Sequence, residues 1–136
     1  MPLYRSIIVN NVFRKQAKLQ SGYNMLDPSK FSSTADVGDV VDYIREMNFY
    51  MSEETSELIQ EISGGNRNAM KPWSTHYEKE RIKSFSSSSH VRSEAIDVLC
   101  FAINICLAAG VTADNVDEEY NKVLEKNVRR QKNDDY

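Results

Sequence analysis

Two cysteines, three prolines, five glycines and two histidines are few for a chain of 136 residues, and each scarcity excludes something. Cys100 and Cys106 stand six apart in an apolar run, so they form neither a CxxC pair nor a disulfide framework. They read as reduced core thiols of a cytoplasmic protein. So little Pro and Gly leaves too few turn formers for a β-sandwich or barrel, which favours helices. No GxxxxGK[ST], GxGxxG or GxSxG occurs, which excludes P-loop and dinucleotide-binding folds and the hydrolase nucleophile elbow on motif grounds. A basic excess is also missing. Seventeen Lys+Arg against twenty Asp+Glu leave a net charge of −3, which argues against a nucleic-acid polymer as partner. No apolar run reaches the ~20 residues that cross a membrane. No basic-then-apolar signal segment is recognisable, so neither secretion nor a membrane partner is expected.

What is present is an ordinary globular balance, 40% hydrophobic and 27% charged, enough for one domain over residues 1–136. Asn11 to Gln20 suits a short amphipathic helix that Ser21-Gly22 breaks, with a turn at Asp27-Pro28. Val37, Val40, Val41, Ile44, Met47, Met51, Leu58 and Ile62 recur at three- and four-residue steps. They predict a helix over 37–62, capped by Ser32, Ser33, Thr34 or Asp36 and stopped at Gly64-Gly65. Residues 66–90 read as a long connection with one short helix, and Ser86–Ser89 as plain linker. From Ala95 to Ala109, thirteen of fifteen residues are apolar, the exceptions being Asp97 and Asn104. A helix apolar on nearly all sides belongs at the centre of a bundle or between subunits. Gly110 ends it, and Thr112 or Asp114 can cap a last helix to about Arg130, with Val116, Tyr120, Val123, Leu124 and Asn127 on one side. The expected fold is an all-α bundle of four or five helices with an oligomer-forming core helix.

Two pairs of acids stand out, Glu54 with Glu57 in EETSE and Glu94 with Asp97 in EAID. Residues three apart on a helix rise by about 4.5 Å and differ by roughly 60° in direction, so each pair projects from one face. In water such a pair means little; in an apolar helix it costs several kcal/mol per ion unless a positive charge compensates. Asp97 lies between Ile96 and Val98, which predicts burial, and no Lys or Arg occurs between Arg92 and Lys122 to neutralise it. A divalent cation held by four oxygens from two helices would do so. Ligation by carboxylates alone selects hard ions, Mg²⁺ first and Mn²⁺ second. Asn104, seven residues beyond Asp97, could bind a ligand or orient a carboxylate. The competing reading of Glu53, Glu54, Glu57 and Glu61 is a solvated acidic face. A di-iron bundle lacks its ExxH partners, because His90 stands alone one turn before Glu94.

Mg²⁺ with acidic ligands keeps open positions for a phosphate substrate. Lys122, Lys126, Arg129, Arg130 and Lys132 of the last helix, interleaved with Asn127, Gln131 and Tyr136, could supply its counter-charge or could form a solvated basic tail.

EETSEL followed by EAIDVL resembles the ExxE…ExxD signature of the all-α nucleoside triphosphate pyrophosphatases, the MazG and dimeric dUTPase superfamily. DVVDYIREM, the Trp-containing KPWSTHY and the ending Tyr120…Asn127-Val-Arg-Arg-Gln131 bring it closer to the dimeric dUTPase and bacteriophage dCTP/dUTP pyrophosphatase branch. The likeness spans Asp36 to Tyr136; residues 1–35 match weakly. It implies a homodimer or dimer of dimers that hydrolyses a nucleoside triphosphate to the monophosphate and pyrophosphate. Glu54, Glu57, Glu94 and Asp97 would hold Mg²⁺. Glu53 or Glu54 would orient or deprotonate the attacking water. Lys122 or Lys126, with Asn127, Arg130 and Tyr136, would contact the triphosphate. Val123 stands where the family carries a lysine, and Asn133-Asp-Asp-Tyr136 replaces its Asn-Gly-Tyr. Gln16 and Asn11, with Phe13 or Trp73, could read the base, and Trp73 is either a substrate lid or a core anchor. The branch likeness favours dUTP or dCTP over a purine such as dGTP or GTP. The alternative from another class is a non-catalytic helical adaptor that dimerises through residues 95–109.

Overall fold

The computed structural model describes residues 2–24, 27–64 and 67–133, with side chains from 9–22, 27–64 and 68–133. Among these the chain is all-α, as expected, and contains no strand. Helix α1 (Pro2–Asn24) leads through a 3-10 turn (Pro28–Lys30) into α2 (Phe31–Thr34) and α3 (Val37–Ile62). A second 3-10 turn (Arg67–Met70) and α4 (Tyr77–Arg81) precede α5 (Ser89–Ala108) and α6 (Val116–Lys132). No described helix is long and apolar enough to cross a membrane.

The helix ends follow from local chemistry. Asp36 starts α3, its Oδ1 accepting from the Asp39 N–H at 2.8 Å and so satisfying one of the donors that a helix start leaves open. Gly64, at φ +66°, is the left-handed residue beyond its end; Gly65 lies outside the described residues. Helix α5 begins six residues before the apolar run. Ser88 Oγ accepts from the Val91 N–H at 3.1 Å, so Ser88 is a helix cap and Ser89 the first helical residue, while Ser86 and Ser87 remain linker. At its other end Gly110 turns at φ +96° while the Val111 N–H reaches Cys106 O at 2.9 Å, a Schellman stop.

Other expectations need correction. Ser21-Gly22 does not break α1, which continues to Asn24. A helical glycine costs only about 1 kcal/mol, and the adjacent turn is anchored where buried Tyr43 donates its hydroxyl to Gln20 Oε1 at 3.1 Å. Neither Thr112 nor Asp114 caps α6. Asn115 sits there instead, and its side chain ties the loop together by accepting from the Thr112 N–H at 2.7 Å and donating to Gly110 O at 3.0 Å. The 66–90 connection holds its expected short helix, α4, and the 3-10 turn besides.

By contacts the chain divides into two compact units: residues up to Ile44 together with those from Ile103 onward, and Arg45–Ala102. In the first, Phe13, Ile103, Leu107 and Val116 form a buried cluster, with Ala17, Cys106, Val111 and Ala113 against it. Phe31 meets Tyr43 edge-on at 5.0 Å. In the second, Tyr50 packs on Phe101 at 5.7 Å, and the Arg67–Met70 turn packs against α4. The apolar run of α5 is not enclosed throughout within one chain. Ile103, Asn104, Leu107 and Ala108 are buried, whereas Ile96 and Leu99 are 55% and 45% exposed.

Leu107, 1% exposed, should carry far more stability than Leu19, 49% exposed. Leu107→Ala is expected to cost about 2–5 kcal/mol in urea unfolding and Leu19→Ala within ~0.5 kcal/mol of nothing. Equal losses would contradict this core.

Candidate metal centre

The second unit carries the acids. Glu54 is on α3, Glu94 and Asp97 on α5, and one carboxylate oxygen from each lies within 4.8 Å of the others. Two long helices set this arrangement: the i,i+3 step puts Glu94 and Asp97 on one face of α5, and Glu54 meets them from α3. Glu54 and Glu94 are half-buried; Asp97 is exposed, against the expectation of burial. The physical reason is that its neighbours Ile96 and Leu99 are themselves open to solvent and shield nothing. Glu57 is exposed and lies outside the trio, so three acids and not four converge closely.

Electrostatics tie Glu57 to the cluster all the same. Burial lifts the Glu54 carboxyl above its ordinary value, followed by the charges of Glu57, Asp97 and Glu94 and a hydrogen bond with Glu57. Burial likewise raises Glu94, then Glu57, Asp97 and Glu61, with His90 opposing. His90 is the second residue of α5, a helix-start position as expected. The half-buried Cys100 thiol is pushed up by burial, then by Asp97 and Glu54, and is a poor nucleophile there.

The donor set fits a hard divalent ion. All donors are carboxylate oxygens, and Glu94 Oε2 is buried with no hydrogen-bond partner among the described residues. An ionised oxygen in that position is costly unless a cation meets it. Among the described residues no Lys or Arg forms an ion pair with Glu54, Glu57, Glu94 or Asp97.

The remaining predicted residues are placed as follows. Glu53, one residue before Glu54, is exposed. In the first unit Gln16 and Asn104 are buried and pair with each other, Gln16 Nε2 donating to Asn104 Oδ1 at 2.9 Å. Phe13 is part of the core, and Asn11 is exposed, accepting from Arg14 at 3.4 Å. Trp73 is 80% exposed, which removes the core-anchor reading. Lys122 is engaged by Glu118 and Glu119, each at 3.3 Å, and these acids hold its ammonium above the usual lysine range. Lys126, Asn127 and Arg130 lie on exposed α6, and Tyr136 falls outside the described residues.

Sequence reasoning missed Arg92. It shares a surface hollow with Asp97, Ser89, Ser93 and Ile96, and its guanidinium donates to Ser87 Oγ at 3.1 Å. Its position two residues before Glu94, as the nearest cation to that acidic pair, was the available signal.

The raised carboxyls make a signed prediction for metal-free protein. A carboxyl whose folded value lies above its unfolded one is bound to its proton more tightly in the folded state. Stability is therefore unpenalised below the ordinary glutamate value, about 4.3, and falls as pH climbs through the raised value. In excess chelator, Glu94→Gln should melt higher than the unsubstituted protein at pH 7, with the difference vanishing as pH drops below that ordinary value. A lower Tm for Glu94→Gln at pH 7 would contradict the charge crowding.

The chain is 28% identical over 105 residues to the dCTP pyrophosphatase of Enterobacteria phage LZ5, covering 69% of this chain and 61% of that protein. It is 28% identical over 107 residues to the dCTP pyrophosphatase of Enterobacteria phage T4, covering 71% and 63%. The matched region thus spans a little over three-fifths of these curated relatives. No family model matches the chain, and no solved structure matches it. What the sequence and the comparisons establish together is similarity to phage enzymes named for pyrophosphate release from dCTP.

Proposed function

We propose that this chain is a divalent-metal-dependent nucleoside triphosphate pyrophosphohydrolase, acting on the deoxypyrimidine triphosphates dCTP and dUTP. The observation that carries the reading is the convergence of Glu54, Glu94 and Asp97 from two helices, with no Lys or Arg among the described residues in an ion pair with them. The similarity to the phage dCTP pyrophosphatases supports the reaction and the pyrimidine. Because both relatives are phage proteins, the proposed setting is the nucleotide pool of a host cytoplasm.

In this reading Glu54, Glu94 and Asp97, with Glu57 beside them, would hold Mg²⁺ or Mn²⁺, which would supply charge neutralisation for the substrate's phosphates. The chain's own groups do the rest. Exposed Glu53, next to Glu54 on α3, accepts the proton that the attacking water gives up. Water adds across the bond between the α- and β-phosphates, and the products are the nucleoside monophosphate and pyrophosphate. Arg92, beside Asp97 in the same hollow, pairs its planar guanidinium with phosphate oxygens. Trp73, exposed on the 66–90 connection, is the aromatic that can close on the nucleotide.

Pyrophosphate release should be measured with Mg²⁺ over dCTP, dUTP, dTTP, dATP and dGTP. The first two are expected to turn over fastest. Glu54→Gln and Asp97→Asn should each lower kcat at least ~100-fold, as loss of a central electrostatic group does. Arg92→Ala should mainly raise KM. Full activity of Asp97→Asn, or no turnover of any triphosphate, would overturn the enzyme reading. A preference for dGTP would overturn the pyrimidine alone.

A further inference from the structure

We propose that the Tyr50–Phe101 ring pair is a brace that sets the gap between α3 and α5 at the three converging acids, and so gives the site its preference for Mg²⁺ over the larger Ca²⁺. The inference rests on the metal reading of Glu54, Glu94 and Asp97.

The acids do not hold their own helices together. Before an ion arrives, Glu54 on α3 repels Glu94 and Asp97 on α5, so an attraction close by must keep the two helices near each other. The ring pair is placed to supply it, inside the same compact unit. Tyr50 stands four residues before Glu54 on α3, and Phe101 four residues after Asp97 on α5. A step of four is about one helical turn along one face, roughly 6 Å. The two helices therefore run antiparallel here, with rings meeting in one layer and carboxylates in the next. The ring centroids are 5.7 Å apart and the planes tilted by 41°, a favourable aromatic contact between two half-buried residues.

Tyr50 is itself held in place. Its hydroxyl donates to Glu46 Oε1 at 3.0 Å, one turn back on α3, and Phe49 meets its ring edge-on at 5.8 Å. A flat ring fixed against its own helix is a spacer of constant length, which a flexible aliphatic side chain is not.

The two ions respond differently when such a spacer is lost. Mg²⁺ demands near-ideal octahedral ligands at about 2.1 Å, which puts neighbouring oxygens about 3 Å apart. Ca²⁺ accepts oxygens at about 2.3–2.6 Å in flexible arrangements. The three carboxylate oxygens already lie within 4.8 Å of one another, so side-chain rotation suffices to bring them round Mg²⁺ while the helices stay where they are. Helices free to drift lose the strict geometry first and the tolerant one last.

Calorimetric titration of the full chain with Mg²⁺ alone and with Ca²⁺ alone tests this. The unsubstituted protein should bind Mg²⁺ the more tightly. Tyr50→Ala and Phe101→Ala, verified as folded by far-UV circular dichroism, should each lose at least ~10-fold in Mg²⁺ affinity and less than ~3-fold for Ca²⁺, as removal of a support behind metal ligands does. Phe101→Leu, apolar but without a ring, stands in if alanine costs the fold. Tyr50→Phe keeps the ring and should bind Mg²⁺ within ~2-fold of the unsubstituted chain. Leu107→Ala destabilises the other unit and should not change the ratio of the two affinities. A preference for Ca²⁺ in the unsubstituted chain, equal losses for both ions, no loss, a Tyr50→Phe variant as weak as Tyr50→Ala, or the same split in Leu107→Ala would each overturn the brace. If Asp97→Asn abolishes ion binding in those cases, the metal reading stands without it. If the unsubstituted chain shows no binding that depends on Asp97, both fall.

Discussion

Carboxylates from two helices crowded within 4.8 Å of one another repel, and the buried, unpartnered Oε2 of Glu94 adds desolvation to that repulsion. Burial first, and the neighbouring carboxylates after it, lift Glu54 and Glu94 above the ordinary carboxyl value, and no Lys or Arg among the described residues relieves the crowding by an ion pair. A fold keeps such an arrangement against its own stability where something else gains from it. A hard divalent ion is the partner whose chemistry suits an all-oxygen donor set.

The helix ends make that crowding possible. The Asp36 cap starts α3 well before Glu54, and the Ser88 cap starts α5 one turn and a half before Glu94. Gly64 and Gly110, both at positive φ, stop the same two helices. The acids therefore sit on interior turns with regular geometry, where an i,i+3 step is reproducible. The first unit uses buried polarity differently. Gln16 with Asn104 and Gln20 with Tyr43 are side-chain pairs inside a small apolar core, and each has its hydrogen bond satisfied. Such pairs fix the register of α1 at little net cost.

What could be read from the chain was what depends on short range. The bounds of α3 follow from apolar steps between a capping aspartate and a glycine, and they match residue for residue. The spacing of the acids is likewise local, so the face shared by Glu94 and Asp97 was legible. Exposure was not. Whether Asp97 is covered depends on what packs over Ile96 and Leu99, and among the described residues these stay 55% and 45% exposed. Trp73 and Gln16 show the same limit in opposite directions, one open at 80% and the other buried at 8%. The length of α1 escaped because a glycine in a helix is a modest penalty that a single buried hydrogen bond can offset. The Ser88 cap and Arg92 were both visible as letters, but their roles depend on where α5 begins.

Anomalous scattering from crystals grown with Mn²⁺ tests the central claim most directly. The account predicts a peak in contact with the carboxylates of Glu54, Glu94 and Asp97 together, absent when Asp97 is replaced by Asn. A Mn²⁺ peak elsewhere on the chain, or none at saturating Mn²⁺ while the three acids keep their present arrangement, would contradict it.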